Sequence, residues 1–252
     1  MTVSSASGPD AGPRPGPTGA SPADAGLRRR LIATGVALVH AEGAQALTLR
    51  EIARRAGVSH GAPRRHFPTH LDLLSAIARE GFAELAARVA ETAPREQEDA
   101  ADARARLEAL ARTYLDFALT RRGMYELMFR HDLLESGRLG LRETSLPLFA
   151  ALTDLVDRVR GEGPSGPASV DAGGGVPAGA ALGAEPRADT GAGDPGSASD
   201  PAVVAGALWA GLHGIAQLWS WGSLRLATRT EEVGPLLRAI LDAHLGESRS
   251  AR

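Results

Sequence analysis

A chain of 252 residues is long enough for one large domain or two smaller ones, and its 28 basic residues, all arginine, nearly balance 30 acidic ones to leave a net charge of −2. With no cysteine present, disulfide frameworks, thiolate metal sites and cysteine nucleophiles are excluded. The charge is unevenly placed: residues 27–70 carry +6 from eight arginines and two glutamates, which leaves −8 on the remainder. That pattern suits a polyanion-binding module joined to a part that does not touch the polyanion.

Residues 1–26 contain ten Gly or Pro and almost no large apolar side chain, too little burial to offset the entropy of ordering, so a disordered tail is expected. The tail has no continuous apolar core of the secretory kind, and a cytoplasmic location follows as the default expectation. From Leu27 onward Leu31, Ile32, Val36 and Val39 fall at helical spacing, and Gly43 stands where that helix would stop. Thr48 followed by Glu51 reads as a capping box, in which hydroxyl and carboxylate each satisfy a free N–H at a helix start. It opens a short second helix, from Leu49 to about Ala56. Gly57 ends it, Ser59 is the expected N-cap of a third short helix running to about Phe67, Pro68 breaks that helix, and Thr69 can cap a long fourth one. Two short helices joined through glycine have the spacing of a helix-turn-helix.

The stretch Leu47–Leu74, LTLREIARRAGVSHGAPRRHFPTHLDLL, resembles the DNA-binding domain of the TetR (tetracycline-repressor-like) family of transcriptional regulators. Residue types and spacing agree at Thr48, Ile52, Ala53, Ala56, Gly57, Val58, Ser59, His66, Phe67, Leu73 and Leu74. The resemblance implies that the helix His60–His66 enters the major groove, with Gly61 and Ala62 small enough for close approach. Arg65 and His60 are then the candidates for base edges. Thr48, Arg50, Arg54, Arg64, His66 and His70 are candidates for phosphates, with Ser59 capping the recognition helix. Arg64 stands where the family usually has Tyr, and His70 where it usually has Lys. Arg28, Arg29 and Arg30 read equally as a phosphate clamp or as a solvated flank.

Beyond Pro94, Leu107, Leu110, Tyr114, Phe117 and Ala118 form one helical stripe. Tyr125, Leu127, Met128 and Phe129 belong to a short helix, and Leu146–Val159 makes another. Residues 161–200, with 11 Gly and 5 Pro in 40 positions, are expected to be a flexible loop. Pro201–Leu224 then carries no formal charge over 24 residues, enough by length alone for a membrane span. Its His213, Gln217, Ser220 and Ser223 and its Ala/Gly content favour a helix buried between protein surfaces. A last amphipathic helix carries Leu236, Leu237, Ile240, Leu241 and Leu245. Gly206, Gly211 and Gly214 would each cost a helix roughly 1 kcal/mol relative to Ala, so close approach of another helix is expected there.

The run Leu208–Gly214 resembles the Trp-His-Gly signature of one TetR-type C-terminal domain, with Trp209 and His213 on one helix face. His213 reads either as a core histidine bonded within the bundle or as a polar contact in an effector pocket. Phe117, Tyr125, Met128, Phe129 and Trp209 read as core or as pocket wall in the same way. By the family resemblance, 201–226 and 231–245 should form a homodimer interface. The expectation is therefore an all-α chain. A three-helix DNA-binding domain spans 27–90, and a C-terminal helical ligand-binding and dimerisation domain spans 99–246. Its partners would be double-stranded operator DNA, an unknown small-molecule effector and a second copy. No cofactor, metal site, catalytic constellation or membrane attachment is expected. The alternative is a helical interaction or architectural module that does not read DNA sequence.

Overall fold

The computed structural model describes residues 22–91, 100–130, 133, 140–161 and 200–246, and all regular structure among them is helical. Helix α1 spans Pro22–Glu42 and so starts inside the segment expected to be tail. A proline needs no N–H partner in a first turn, and Asp24 there faces the positive end of the helix dipole. Residues 1–21 lie outside the described residues, as do 162–199 of the expected loop. After Gly43, whose φ of 84° suits a residue without Cβ, a 3₁₀ turn at Ala44–Ala46 leads to α2 (Leu49–Arg55).

Thr48 accepts from the Glu51 N–H at 3.2 Å and caps α2 as expected. The other half of the capping box does not form, because the Glu51 carboxylate turns to Arg54 and Arg55. Charge-assisted bonds to two guanidiniums outweigh one bond to a backbone N–H. Gly57 turns the chain with φ 68°, and Val58 N–H donates back to Ala53 O at 3.0 Å. The third helix, α3, spans only Ala62–His66. Ser59 does not cap it with its hydroxyl; Ala62 N–H donates to the Ser59 carbonyl at 3.0 Å, making a turn, and Gly61 is the N-cap. Pro63, in the first turn of α3, needs no N–H acceptor. The reciprocal capping box forms instead at α4 (His70–Ala90), between Thr69 and Asp72.

Leu31, Leu38, Ile52, Phe67, Leu73 and Ile77 are buried where α1, α2, α3 and α4 converge. A fully buried side chain of this size contributes about 1.5–3 kcal/mol, so long α1 and α4 hold two helices too short to persist alone. Further helices among the described residues are α5 (Ala100–Thr120), α6 (Arg122–Met128), α7 (Leu141–Gly161), α8 (Pro201–Ser220), α9 (Ser223–Thr228) and α10 (Gly234–Leu245). The apolar run expected as one helix over Pro201–Leu224 is divided: Gly222, at φ 79°, takes a left-handed conformation between α8 and α9. Phe129 lies just past α6, as its C-cap. Helix α5 packs on α7 and α8, and α10 packs on α8. Of the three α8 glycines only Gly211 meets another helix closely, since an added Cβ would overlap the Ile240 side chain of α10; Gly214 faces open space.

The two parts are joined through α4 and α6. Helix α4 is 21 residues long, roughly 30 Å at 1.5 Å per residue. Its first half closes the core with α1 and its second half packs on α5 and α7. Gly123 in α6 brings backbone against backbone, because an added Cβ would lie 2.6 Å from Val39 O of α1. Glu84 of α4 accepts from Arg121 at 3.0 Å and from Arg88 at 2.7 Å.

Candidate DNA-binding surface and effector cavity

The turn 56–61 and the start of α3 form one exposed edge. His60, Gly61, Arg64 and Arg65 are exposed, Ala62 and His66 are half-buried, and Pro63 is buried beneath them. Arg50 is exposed on α2, and among the described residues neither it nor Arg64 nor Arg65 has an ion-pair partner. Their donors are open to an incoming polyanion. Arg54 is also exposed, but its guanidinium is held by Glu51 at 2.6 Å and 2.9 Å. Glu51 bonds Arg55 as well, and Arg55 reaches on to Glu42 of α1. Hydrogen bonds from Arg54 and Arg55 hold the Glu51 carboxyl at about 2, well below the usual carboxylate range. A phosphate contacting Arg54 would therefore have to compete with this carboxylate.

His70 has one ring nitrogen engaged within the chain: Nε2–H donates to Leu47 O at 2.6 Å and ties the start of α4 to the residue before the α2 cap. Only Nδ1 is left to face outward. Arg28 stacks over the Phe67 ring, 5.1 Å from its centroid, so it anchors α1 against the end of α3, while Arg29 and Arg30 are exposed. Val58, one of the matched motif positions, is only partly buried, packed against the core that holds Ile52 and Phe67.

The second site is a cavity of about 210 Å³ bounded by α4, α5, α7, α8 and the end of α6 and partly open to solvent, where Leu146 and Trp209 are exposed. Its aromatic wall is Phe82, Tyr114, Phe129, Phe149 and Trp209, and leucines of α4, α5, α7 and α8 supply most of the rest. Of the six residues singled out from sequence, Phe129 and Trp209 line it directly. Phe117, Tyr125 and Met128 are buried behind the wall. Phe117 lies beneath the Arg88 guanidinium, and Met128 packs with Met124 against Gly81 of α4. His213 reaches the cavity through Tyr114. Its Nδ1 lies 2.6 Å from Tyr125 Oη and 3.2 Å from Tyr114 Oη, and the two hydroxyls are 2.9 Å apart.

Sequence reasoning placed Tyr114 in a core stripe and missed Phe82 and Phe149 as pocket wall. The available signal was the Tyr114 hydroxyl, since a phenol in an apolar stripe needs a buried partner. Burial pushes the Tyr114 phenol up to about 12 and the Tyr125 phenol higher still, and burial lowers His213. All three groups are consequently neutral near pH 7. Phe129 is packed among Tyr125, His213, Phe82 and Trp209 at centroid distances of 4.8 to 6.1 Å, so the cavity wall and the hydroxyl pair form one unit.

Residues 31–77 match the family described as bacterial regulatory proteins of the tetR family, and residues 107–244 match the tetracyclin repressor-like C-terminal domain. Among solved structures, a protein of unknown function from Rhodococcus sp. RHA1 is 27% identical, with 87% of this chain and 93% of that chain covered at a TM-score of 0.61. A TetR-like transcriptional regulator from Rhodococcus sp. RHA1 shares the fold at 11% identity, with 86% and 93% covered and a TM-score of 0.53. No curated protein matches the chain. The C-terminal match alone spans more than half of the chain, and the N-terminal match falls on the helix-turn-helix whose turn and caps are described above. The chain belongs to the TetR family of bacterial transcriptional regulators.

Proposed function

We propose that the protein is a ligand-responsive repressor that binds a palindromic operator as a homodimer in the cytoplasm and catalyses no reaction. The observation that carries this reading is the double role of α4. Leu73, Leu74 and Ile77 of α4 are buried in the core that carries α2 and α3, and Phe82, Leu85 and Val89 of the same helix line the cavity. A compound that displaces the second half of α4 moves the base of the helix-turn-helix, and its differential affinity for the two positions sets the response. The Glu84–Arg121 bond and the Gly123–Val39 contact give that motion two further links to α1 and α6.

Operator contacts are assigned to Arg65 and His60 for bases and to Thr48, Arg50, Arg54, Arg64, His66 and His70 for phosphates. Free donors on Arg50, Arg64 and Arg65 support the assignment; Arg54 joins once it leaves Glu51. Dimerisation is assigned to α8, α9 and α10. Val203, Ala207, Ala210, Gly214 and Leu218 lie on one face of α8 and its C-cap Trp221 follows them, all uncharged, and all but half-buried Gly214 are exposed. Leu226 on α9 extends the apolar surface at 84% exposure. Helix α8 is long and apolar enough to cross a membrane, but the same face suits a second copy, and the opposite side of the helix is packed on α5, α7 and α10. A two-fold dimer demands half-sites spaced like its two recognition helices.

Fluorescence anisotropy with the promoter of the protein's own gene tests the proposal. Tight, salt-sensitive binding to that duplex, lost on a scrambled one, is expected. Equal affinity for both duplexes at every salt concentration would overturn it and favour the architectural reading.

A further inference from the structure

The cavity has a chemical bias beyond its role as an effector site. Among the described residues no charged side chain lines it, and its polar groups are the Tyr114 and Ser145 hydroxyls and the Trp209 indole N–H. A charged group seated among these side chains would lose its hydration without gaining a counter-charge, and the pull of five aromatic faces on a cation is weaker than that loss. At about 210 Å³ the space exceeds the roughly 150 Å³ that accepts benzene in an apolar cavity, which allows one ring with a short substituent, on the order of eight to ten non-hydrogen atoms.

The hydroxyl chain adds a direction. With the neutral imidazole's proton on Nε2, Nδ1 offers one lone pair, and Tyr125, at 2.6 Å, is placed to donate to it. In that tautomer Tyr114 is the group left to donate across the 2.9 Å between the two hydroxyls, to Tyr125 Oη. With its proton committed inward, Tyr114 Oη, beside the Trp209 indole N–H that can take one lone pair, keeps a second lone pair for the cavity. We propose that the cavity selects an uncharged single-ring compound bearing one hydrogen-bond donor, phenol-like, which donates to Tyr114 Oη. This inference rests on the reading of the cavity as the effector site.

Isothermal titration calorimetry of the full-length protein with four probes of similar size tests it. The probes are 4-ethylphenol, 4-ethyltoluene, 4-methylbenzoate and 4-methylbenzylammonium. The phenol should bind about 3- to 10-fold more tightly than 4-ethyltoluene, the net worth of one hydrogen bond, and neither ion should show saturable binding. Tyr114→Phe should erase the phenol's advantage and leave 4-ethyltoluene unchanged. Leu148→Trp, which fills the cavity, should abolish binding of both. An ion that binds as well as 4-ethyltoluene, a phenol with no advantage, an advantage that survives Tyr114→Phe, or no binding by either neutral probe would each overturn the inference. Operator affinity measured in the same samples separates it from the reading beneath it. An ion that binds and shifts operator affinity overturns the ligand class and keeps the regulator. A phenol that binds as expected without changing operator affinity keeps the pocket chemistry and overturns the effector role.

Discussion

The helix-turn-helix and the cavity place their chemistry in opposite ways. In the first, the candidate contacts from Thr48 to His70 lie within 23 consecutive residues, on exposed turns and short helices whose caps and breaks are local. In the second, the wall runs from Phe82 to Leu212, and its polar group is assembled from Tyr114, Tyr125 and His213 on three helices. A surface that meets a polymer of fixed shape can be written as a short motif. A cavity between helices exists only where elements distant in sequence fail to fill the space between them.

The largest expected effect strikes the side where packing supports the motif. Ile52 is fully buried at the base of α2, so Ile52→Ala should cost about 2–5 kcal/mol in chemical denaturation and remove operator binding with it. A cost near zero would show that the short helices stand without this core. Arg65→Ala probes the exposed side: specific binding should weaken by about 1–3 kcal/mol, with the loss concentrated at one operator position. Uniform loss across scrambled operators would move Arg65 to the phosphate contacts.

Gly123→Ala tests whether the two regions are separable at all. Pushing α6 off the Val39 carbonyl should cost about 1–3 kcal/mol, more than the at most about 1 kcal/mol that Ala gains in helix propensity. Thermal unfolding at unchanged or higher temperature would mean that the contact carries no coupling. Thr48→Ala should cost about 1 kcal/mol through the lost α2 cap, measured by the same unfolding experiment. The smallest effect is pH dependence. Burial lowers His213 from its ordinary 6.5, so the stability that comes from keeping the ring neutral is complete above about pH 6.5. It is lost as pH falls below that, because the unfolded chain takes up a proton that the folded one resists. His40 is lowered too, by burial and then by Arg121, so His213→Gln should flatten the pH profile in part and not wholly.

Much of the DNA-binding half was legible because its signals act over three or four residues. Thr48 caps α2, Gly57 turns at positive φ, and Thr69 caps α4, each where the spacing placed it. Its errors came from competition between equally local partners. Glu51 prefers two guanidiniums to a backbone N–H, and the chain turns over residues 59–62 before α3 begins, so the Ser59 hydroxyl does not cap that helix. The cavity was read far less well. Phe129 and Trp209 line it, but nothing at the spacing of Phe117 or Met128 distinguishes them from wall residues, and Phe82 and Phe149 carry no local mark of exposure to a void.

Periodicity, caps and turn glycines were enough to determine an all-helical chain, the helix-turn-helix and its basic edge, because hydrogen bonds between near neighbours specify them. Tertiary packing alone decided which aromatic rings border empty space, that His213 bonds two phenols, that α8 breaks before Trp221–Gly222 turns into α9, and that α4 serves both sites. Those features depend on how side chains far apart in the chain share volume, and no short segment contains that information.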